Sequence, residues 1–218
     1  MSKEYIDILN NAAIKLKINI SATQQEKLIK YVDYILEWNE VYNITSIKTK
    51  KKILIYHIID SLAVIPSLKK IYSKNIKLAD IGSGCGVPGM ILAIMNNDWN
   101  IICIDSVEKK TSFIKYVANC LLIKNIKVIH SRVECITPLN CDIVISRAFS
   151  SIKNFILLSH KHLNQNGTLI AMKGLFPQHE IEDLKSLQNW NFIGTKNLYV
   201  PYLESKRCLI YIKEKNNI

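Results

Sequence analysis

Glycine is scarce in this sequence, arginine is scarcer, and neither a long apolar run nor a paired-cysteine motif occurs in it. No segment reaches the roughly 18 consecutive apolar residues that a membrane helix needs, so no membrane association is expected. The six cysteines, Cys85, Cys103, Cys120, Cys135, Cys141 and Cys208, are scattered and form no C-x-x-C pair. That spacing argues against a disulfide framework and for free thiols in a cytoplasmic protein. The histidines, His57, His130, His160, His162 and His179, offer no metal-ligand spacing, so no metal is expected. Met1-Ser2-Lys3-Glu4-Tyr5-Ile6-Asp7 has no apolar core and carries acids early, which resembles neither a secretory nor a mitochondrial leader. The first seventy or so residues hold no glycine and, before Pro66, no proline, so the strongest helix breakers are missing there.

What is present points elsewhere. Hydrophobic residues make up 49% of 218 positions, enough for a sizeable core, and the formal charge is +11. A field of that sign attracts polyanions. The chain is rich in Lys, Asn and Ile, so part of the lysine excess is compositional and charge alone favours nucleic acid only modestly. The three arginines, Arg132, Arg147 and Arg207, are more telling among 29 basic residues. Where lysine serves, this chain uses lysine; a retained arginine suggests a planar group with several donors.

Periodicity divides the chain into a helical cap over 1–72 and a larger α/β part over 73–218. Ser21-Ala22-Thr23-Gln24 is a capping box, and Leu28, Ile29, Val32, Ile35 and Leu36 follow at helical spacing. A second amphipathic stretch is expected from about Lys52 to Ile65, with Pro66 and Ser73-Lys74-Asn75 as boundary signals. Beyond them, short apolar runs at Lys77–Ile81, Asn100–Ile104, Ile126–His130, Asp142–Ile145 and Thr168–Met172 alternate with helix-length segments, among them Val107 to Leu122 and Ile152 to Leu163. This predicts a mostly parallel, Rossmann-like sheet covered on both faces. Phe192 to Val200 and Arg207 to Lys213 predict a C-terminal antiparallel hairpin joined by a short turn. A monomer is expected.

Four of the seven glycines lie in Gly82-Ser83-Gly84-Cys85-Gly86-Val87-Pro88-Gly89, directly after the strand ending Ala79-Asp80-Ile81. Glycine admits positive φ and lets backbone approach a ligand closely, and Pro88 suits the first turn of a following helix. In an open α/β sheet such a bend lies where a nucleotide-like ligand binds. A plain glycine-rich turn is the alternative. The frame Asp80-Ile81-Gly82-Ser83-Gly84-Cys85-Gly86 reads as acid-x-G-x-G-x-G, the S-adenosylmethionine pattern. A dinucleotide frame fits only from Gly84 through Gly86 and Gly89, two residues further from the strand, so an NAD-type oxidoreductase stays open. Asp105, at the tip of the second strand, suits the ribose hydroxyls of either ligand, or the start of the next helix. Ser131-Arg132-Val133-Glu134, after the third strand, faces the adenine end in this architecture, unless Glu134 is simply a solvated loop charge.

The fourth strand leads into Ser146-Arg147-Ala148-Phe149, where an acceptor would meet the methyl group. The segment lacks the Asn/Asp-Pro-Pro-aromatic device used on exocyclic amines, and no Pro-Cys or Cys-Pro pair exists for attack on cytosine C5. Guanine N7 fits both absences, because its lone pair is free in the neutral base and alignment supplies most of the catalysis. Arg147 is the candidate catalytic-site residue: it can hold a cofactor carboxylate, a phosphate or guanine O6, or form a structural ion pair with a buried acid. Lys109 and Lys173 are candidate RNA contacts, each with a solvated surface role as the alternative. Trp38, Tyr42 and Tyr34 can stack on bases, although their helical spacing favours core packing.

These motifs together resemble the RsmG (GidB) family of bacterial 16S ribosomal RNA guanine-N7 methyltransferases. The resemblance spans nearly the whole chain: Trp38-Asn39, Tyr42-Asn43-Ile44-Thr45, His57 and Asp60-Ser61-Leu62 in the cap, then the glycine run, Asp105-Ser106, Ser131-Arg132-Val133-Glu134, Ser146-Arg147-Ala148-Phe149 and Met172-Lys173-Gly174. It implies a class I methyltransferase fold, S-adenosyl-L-methionine as cofactor, and 16S ribosomal RNA or the small subunit as partner in the cytoplasm. It further implies cofactor contacts at Gly82, Val87, Val133, Glu134 and Arg147, which join Gly84, Gly86 and Asp105 as candidate cofactor-binding residues. Val87 departs from the Phe or Leu frequent in relatives. Another RNA target is the nearest alternative.

Overall fold

A fully parallel five-strand run with an antiparallel pair at one edge organises the computed structural model, in which residues 3–72, 75–147, 149 and 151–215 are described. Met1, Ser2, Ser73, Lys74 and Ala148, which entered the sequence arguments, lie outside the described residues. The strands are β1 (Lys77–Ile81), β2 (Asn100–Asp105), β3 (Ile126–His130), β4 (Cys141–Ser146), β5 (Leu163–Lys173), β6 (Trp190–Leu198) and β7 (Arg207–Glu214). Their spatial order is β3-β2-β1-β4-β5-β7-β6. β1 pairs in parallel with both β2 and β4, so the order reverses at β1, and the crevice above the β1 and β4 tips is the expected ligand position. β7 runs antiparallel between β5 and β6, unlike the all-parallel dinucleotide fold.

Alternation along the strands sends successive residues to opposite faces. Leu78, Cys103, Ile143, Ile145, Ile170 and Leu209 pack toward one core; Ala79, Ile81, Ile104, Val144, Leu169 and Ile210 pack toward the other. The first core also receives Leu9, Ala12, Leu28, Val32 and Ile35 from the helices Lys3–Leu16 and Ala22–Tyr42, so apolar packing runs continuously from the cap into the sheet. The capping box forms: Ser21 Oγ accepts from Gln24 N–H at 3.2 Å, and Gln24 Oε1 accepts from Ser21 N–H at 2.9 Å. Gln24 Nε2 also donates to the carbonyls of Ile94 and Met95, tying the cap to the helix that follows the glycine loop.

Several boundaries differ from the sequence expectation. The stretch expected as one amphipathic helix is an α-turn (Lys50–Ile53), a π-helical segment (Leu54–Ile59) and a further α-turn (Asp60–Leu62). Ile53, Leu54, Ile55, Ile58, Ile59 and Leu62 are all buried, because this segment lies between the cap helices and the helix Gly89–Met95 and has little free face. Pro66 opens the helix Ile65–Ile71 rather than ending one, as its missing N–H allows. The helix from Ile152 stops at Ser159, and β5 begins at Leu163, five residues early, by pairing Leu163 with Cys141 across an irregularity. Residues 199–206 make the hairpin connection longer than a tight turn.

Candidate active site

The glycine loop is bound to the sheet tips by its own backbone. Gly82 N–H and Ser83 N–H both donate to the Ile104 carbonyl, at 2.9 and 3.1 Å, so β1 turns sharply over the end of β2. Asp105, 7% exposed, accepts from Gly84 N–H at 2.8 Å through Oδ2 and from Val107 N–H at 2.9 Å through Oδ1. One carboxylate thereby joins the loop to the start of the next helix, and each oxygen keeps a further lone pair. Gly82 has φ +66° and nothing within 4 Å of a built Cβ, so it leaves bare backbone facing open space. Gly86, at φ +83°, serves packing instead: a Cβ would meet the Tyr31 hydroxyl at 2.5 Å. That hydroxyl donates to the Cys85 carbonyl, so a cap residue supports the loop from beneath.

Asp80 lies under the loop with no solvent exposure, and its Oδ2 accepts from Gly89 N–H at 2.8 Å. Burial pushes its carboxyl up to about 7, although the Gly89 N–H and the Arg147 charge pull it down. Oδ1 is buried with no partner. Asp80 is therefore a support of the loop and not a wall of the cleft.

Above these tips opens a cleft of about 420 Å³. Ile81, Ile104, Val133, Phe149 and Leu158 give it apolar walls, while Gly82, Asp105, Ser106, Lys110 and Glu134 provide polar groups. Val133 is held by its carbonyl, which meets His162 Nε2 at 3.0 Å; burial lowers the pKa of that histidine. Glu134 keeps its side chain 40% exposed, with only a 3.9 Å approach to Arg132.

A second cleft, of about 270 Å³, lies at the tips of β4 and β5 against the cap. It gathers Ile47, Tyr56, His57, Asp60, Arg147, Met172, Lys173, Gly174 and Arg207. At its floor Asp60, with a side chain 2% exposed, bridges two guanidiniums: Arg207 Nε at 3.0 Å on Oδ1 and Arg147 Nη1 at 3.4 Å on Oδ2. Burial pushes the Asp60 carboxyl up and both arginines pull it back down. Arg147 also donates through Nη1 to the Tyr56 carbonyl at 2.9 Å and through Nη2 to His57 Nδ1 at 3.2 Å. His57 Nδ1 also lies 3.2 Å from the Tyr56 carbonyl and Nε2 lies 2.8 Å from Thr45 Oγ1, so the ring is held at both nitrogens. Burial, and then the Arg147 charge, lower the His57 pKa to about 4, so this imidazole is neutral near pH 7. Lys173 is paired with Glu180 at 2.9 Å.

Gly82, Asp105, Val133 and Glu134 thus share the first cleft, and Arg147 and Lys173 share the second. Gly84 and Gly86 shape the loop without lining either space. Val87 is 2% exposed within the core beneath the loop. Pro88 stands one residue before the helix Gly89–Met95. Lys109 is exposed and lines neither cleft, whereas its neighbour Lys110 lines the first. Trp38 stacks with Tyr42, Phe113 and Tyr116, a packing role. The sequence assigned no site role to Asp60, His57, Tyr56 or Arg207; the available signals were the scarcity of arginine and the place of His57 and Asp60 among the residues that carry the resemblance.

Strand order, glycine loop and tip cleft define a class I, Rossmann-like methyltransferase. A solved S-adenosylmethionine-dependent methyltransferase from Aquifex aeolicus shares this fold, with TM-score 0.59 at 14% identity over 74% of this chain and 92% of that one. The model of the GidB family, described as rRNA small subunit methyltransferase G, matches residues 24–210, and the chain belongs to that family. Its relatives named ribosomal RNA small subunit methyltransferase G include one from Bordetella pertussis, 40% identical over 94% of this chain and 91% of the relative. Another, from Psychrobacter sp., is 42% identical over 93% of this chain and 88% of the relative.

Proposed function

We propose that this protein transfers a methyl group from S-adenosyl-L-methionine to N7 of one guanine in 16S ribosomal RNA, in the small subunit or its RNA. The observation that carries the reading is the pair of clefts at the β1/β4 reversal, one floored by bare glycine backbone and the other by two arginines on one buried carboxylate. The first cleft fits the cofactor: its volume suits a nucleoside-sized ligand, Gly82 leaves room for close approach, and Asp105 has lone pairs for ribose hydroxyls. Val133 and Glu134 stand where the adenosine would lie. When bound, S-adenosyl-L-methionine supplies a methyl on a positively charged sulfur.

The remaining work falls to the second cleft. Guanine N7 needs no proton removed, so the chain has to orient the base and exclude water from it. Arg147 Nη1 is committed to Tyr56 and Asp60 and Nη2 contacts His57, which leaves Nε–H without a partner among the described residues. A single donor there suits guanine O6 and leaves the N7 lone pair free to attack the methyl. Arg147 belongs, on this reading, to the acceptor side; Val87 acts on the cofactor only through the loop above it. His57, neutral and in contact with Arg147 Nη2, helps to aim the guanidinium, and Asp60 is the positioning residue for both arginines.

The test is transfer of label from S-adenosyl-L-methionine to unmodified small subunits, with 7-methylguanosine located by strand cleavage at the modified base. One labelled guanine is expected. Label on adenine, cytosine or protein overturns the assignment.

A further inference from the structure

A third cleft, of about 440 Å³, opens on the cap beside the acceptor cleft, lined by Ser46, Ile47, Lys48, Thr49, Lys52 and Tyr56. Ile47 and Tyr56 line both spaces, so the two adjoin. We propose that this groove holds the RNA strand adjoining the methylated guanine, with backbone phosphates on Lys48 and Lys52 and a flanking base on the Tyr56 ring. The proposal rests on the reading of RNA as substrate given above.

Three observations carry it. The groove is lined by two cations and no acid, and among the described residues neither Lys48 nor Lys52 makes an ion pair. Their neighbours differ: Lys50 is spent on Asp33 and Lys173 on Glu180. The loop is also held in shape before any ligand arrives. Asn39 accepts from Thr45 N–H at 2.9 Å and donates to the Ile47 carbonyl at 3.3 Å, while Thr45 Oγ1 accepts from Ile47 N–H at 3.3 Å. Thr45 meets the same His57 that aims Arg147, so groove and acceptor cleft share one hydrogen-bonded frame. Finally, Tyr56 keeps its side chain accessible, 38% exposed, at the junction, although its backbone carbonyl is committed to Arg147. An accessible aromatic ring between a base-sized cleft and a cationic groove is the arrangement by which single-stranded nucleic acid is held, through stacking and phosphate contacts together.

Binding of the S-adenosylhomocysteine-loaded protein to unmodified small subunits, and to 16S RNA alone, measured across a salt series, tests this. The variant Lys48→Gln/Lys52→Gln is expected to bind about ten-fold more weakly, and its log K against log salt slope to flatten by roughly 1.4, about 0.7 per lost phosphate contact. Lys48→Arg/Lys52→Arg should bind as the wild type does. Lys69→Gln/Lys70→Gln removes equal charge at the end of the helix Ile65–Ile71 and should keep the wild-type slope. Calorimetry with S-adenosylhomocysteine checks folding, and the single variants Lys48→Gln and Lys52→Gln carry the test should the double variant not bind it. If Lys48→Gln/Lys52→Gln matches Lys69→Gln/Lys70→Gln while the wild type methylates guanine, the groove assignment is wrong and the enzymatic reading stands. If the wild type binds neither probe, both fall.

Discussion

The first cleft takes most of its walls from the three turns that follow β1, β2 and β3, each a contiguous stretch of sequence. The second takes Ile47, Tyr56, His57 and Asp60 from the cap, Arg147 from just beyond β4, Met172 and Lys173 from β5 with Gly174 after it, and Arg207 from β7. Backbone N–H groups and a shape built on glycine dominate the first. Charged side chains converging on one buried carboxylate dominate the second. Sites of the first kind lose one contact at a time on substitution, because their shape is set by backbone. Sites of the second kind depend on the one group that every other charge needs.

Asp60→Ala is accordingly the most damaging single change expected. It leaves two guanidiniums, 24% and 22% exposed, without their counter-charge, at a cost of about 3–5 kcal/mol. Methyl transfer should drop by roughly 10²-fold or more from misplacement of Arg147 alone. Denaturant unfolding reads the first quantity and single-turnover transfer the second. Affinity for S-adenosylhomocysteine should hold in whatever fraction stays folded. Loss of cofactor binding in folded Asp60→Ala would mean that the two clefts are not separable.

His57 sharpens the same contrast through pH. Its folded pKa, about 4, lies below the ordinary 6.5, so between those values the unfolded chain binds a proton that the folded chain refuses. Stability from this group is full above pH 6.5 and is lost as pH falls toward 4, by about 3 kcal/mol over the whole window. Asp80 works in the opposite direction over much of that range, since its pKa is raised to about 7 and its folded form binds the extra proton. The informative quantity is therefore the difference between wild type and His57→Gln, which cancels Asp80. The wild type should lose more stability on acidification; parallel curves would show that the fold does not hold His57 neutral.

The two clefts were unequally legible in the sequence for the same physical reason. A turn that cradles a cofactor must put glycines at fixed offsets from a strand end, so Gly82 and Asp105 were candidates by spacing, whereas Val133 and Glu134 were singled out only by the family resemblance. The five parallel strands were legible because burial on both faces demands unbroken apolar runs. Tyr56 and Asp60 meet Arg147 and Arg207 only through tertiary folding, and no local period announces a pair separated by 147 positions. The π-helical stretch was hidden as well, because an apolar run such as Leu54–Ile59 carries no mark of an extra residue per turn. Pro66 did mark a boundary, the break at Ala63 and Val64, but from its far side, since proline opens helices as readily as it follows them.

On the cofactor side, Gly82→Ala should cost about 1–2 kcal/mol of stability, because a Cβ at φ +66° is strained even with open space around it. The same methyl projects into that space, and S-adenosylhomocysteine affinity should fall by about ten-fold, near 1.4 kcal/mol. Calorimetry of ligand binding beside thermal unfolding separates the two effects. An unchanged affinity would move the cofactor away from the β1 tip.

The smallest change in stability should come from Glu134→Gln. The carboxylate is 40% exposed and its approach to Arg132, itself 76% exposed, is 3.9 Å, so the pair contributes at most about 0.5 kcal/mol. Its backbone carbonyl, which accepts from Lys161 Nζ at 2.6 Å, is untouched by the substitution, so the turn after β3 keeps its shape. A carboxylate that accepts hydrogen bonds from a ligand contributes about 1.5–3 kcal/mol, which corresponds to a loss of roughly ten-fold or more in cofactor affinity. The expected result is an unfolding midpoint that does not move together with weaker S-adenosylhomocysteine binding. The opposite pattern, a shifted midpoint with unaltered binding, would make Glu134 a surface charge of the loop and leave Asp105 as the remaining acid at the adenosine end of the cleft.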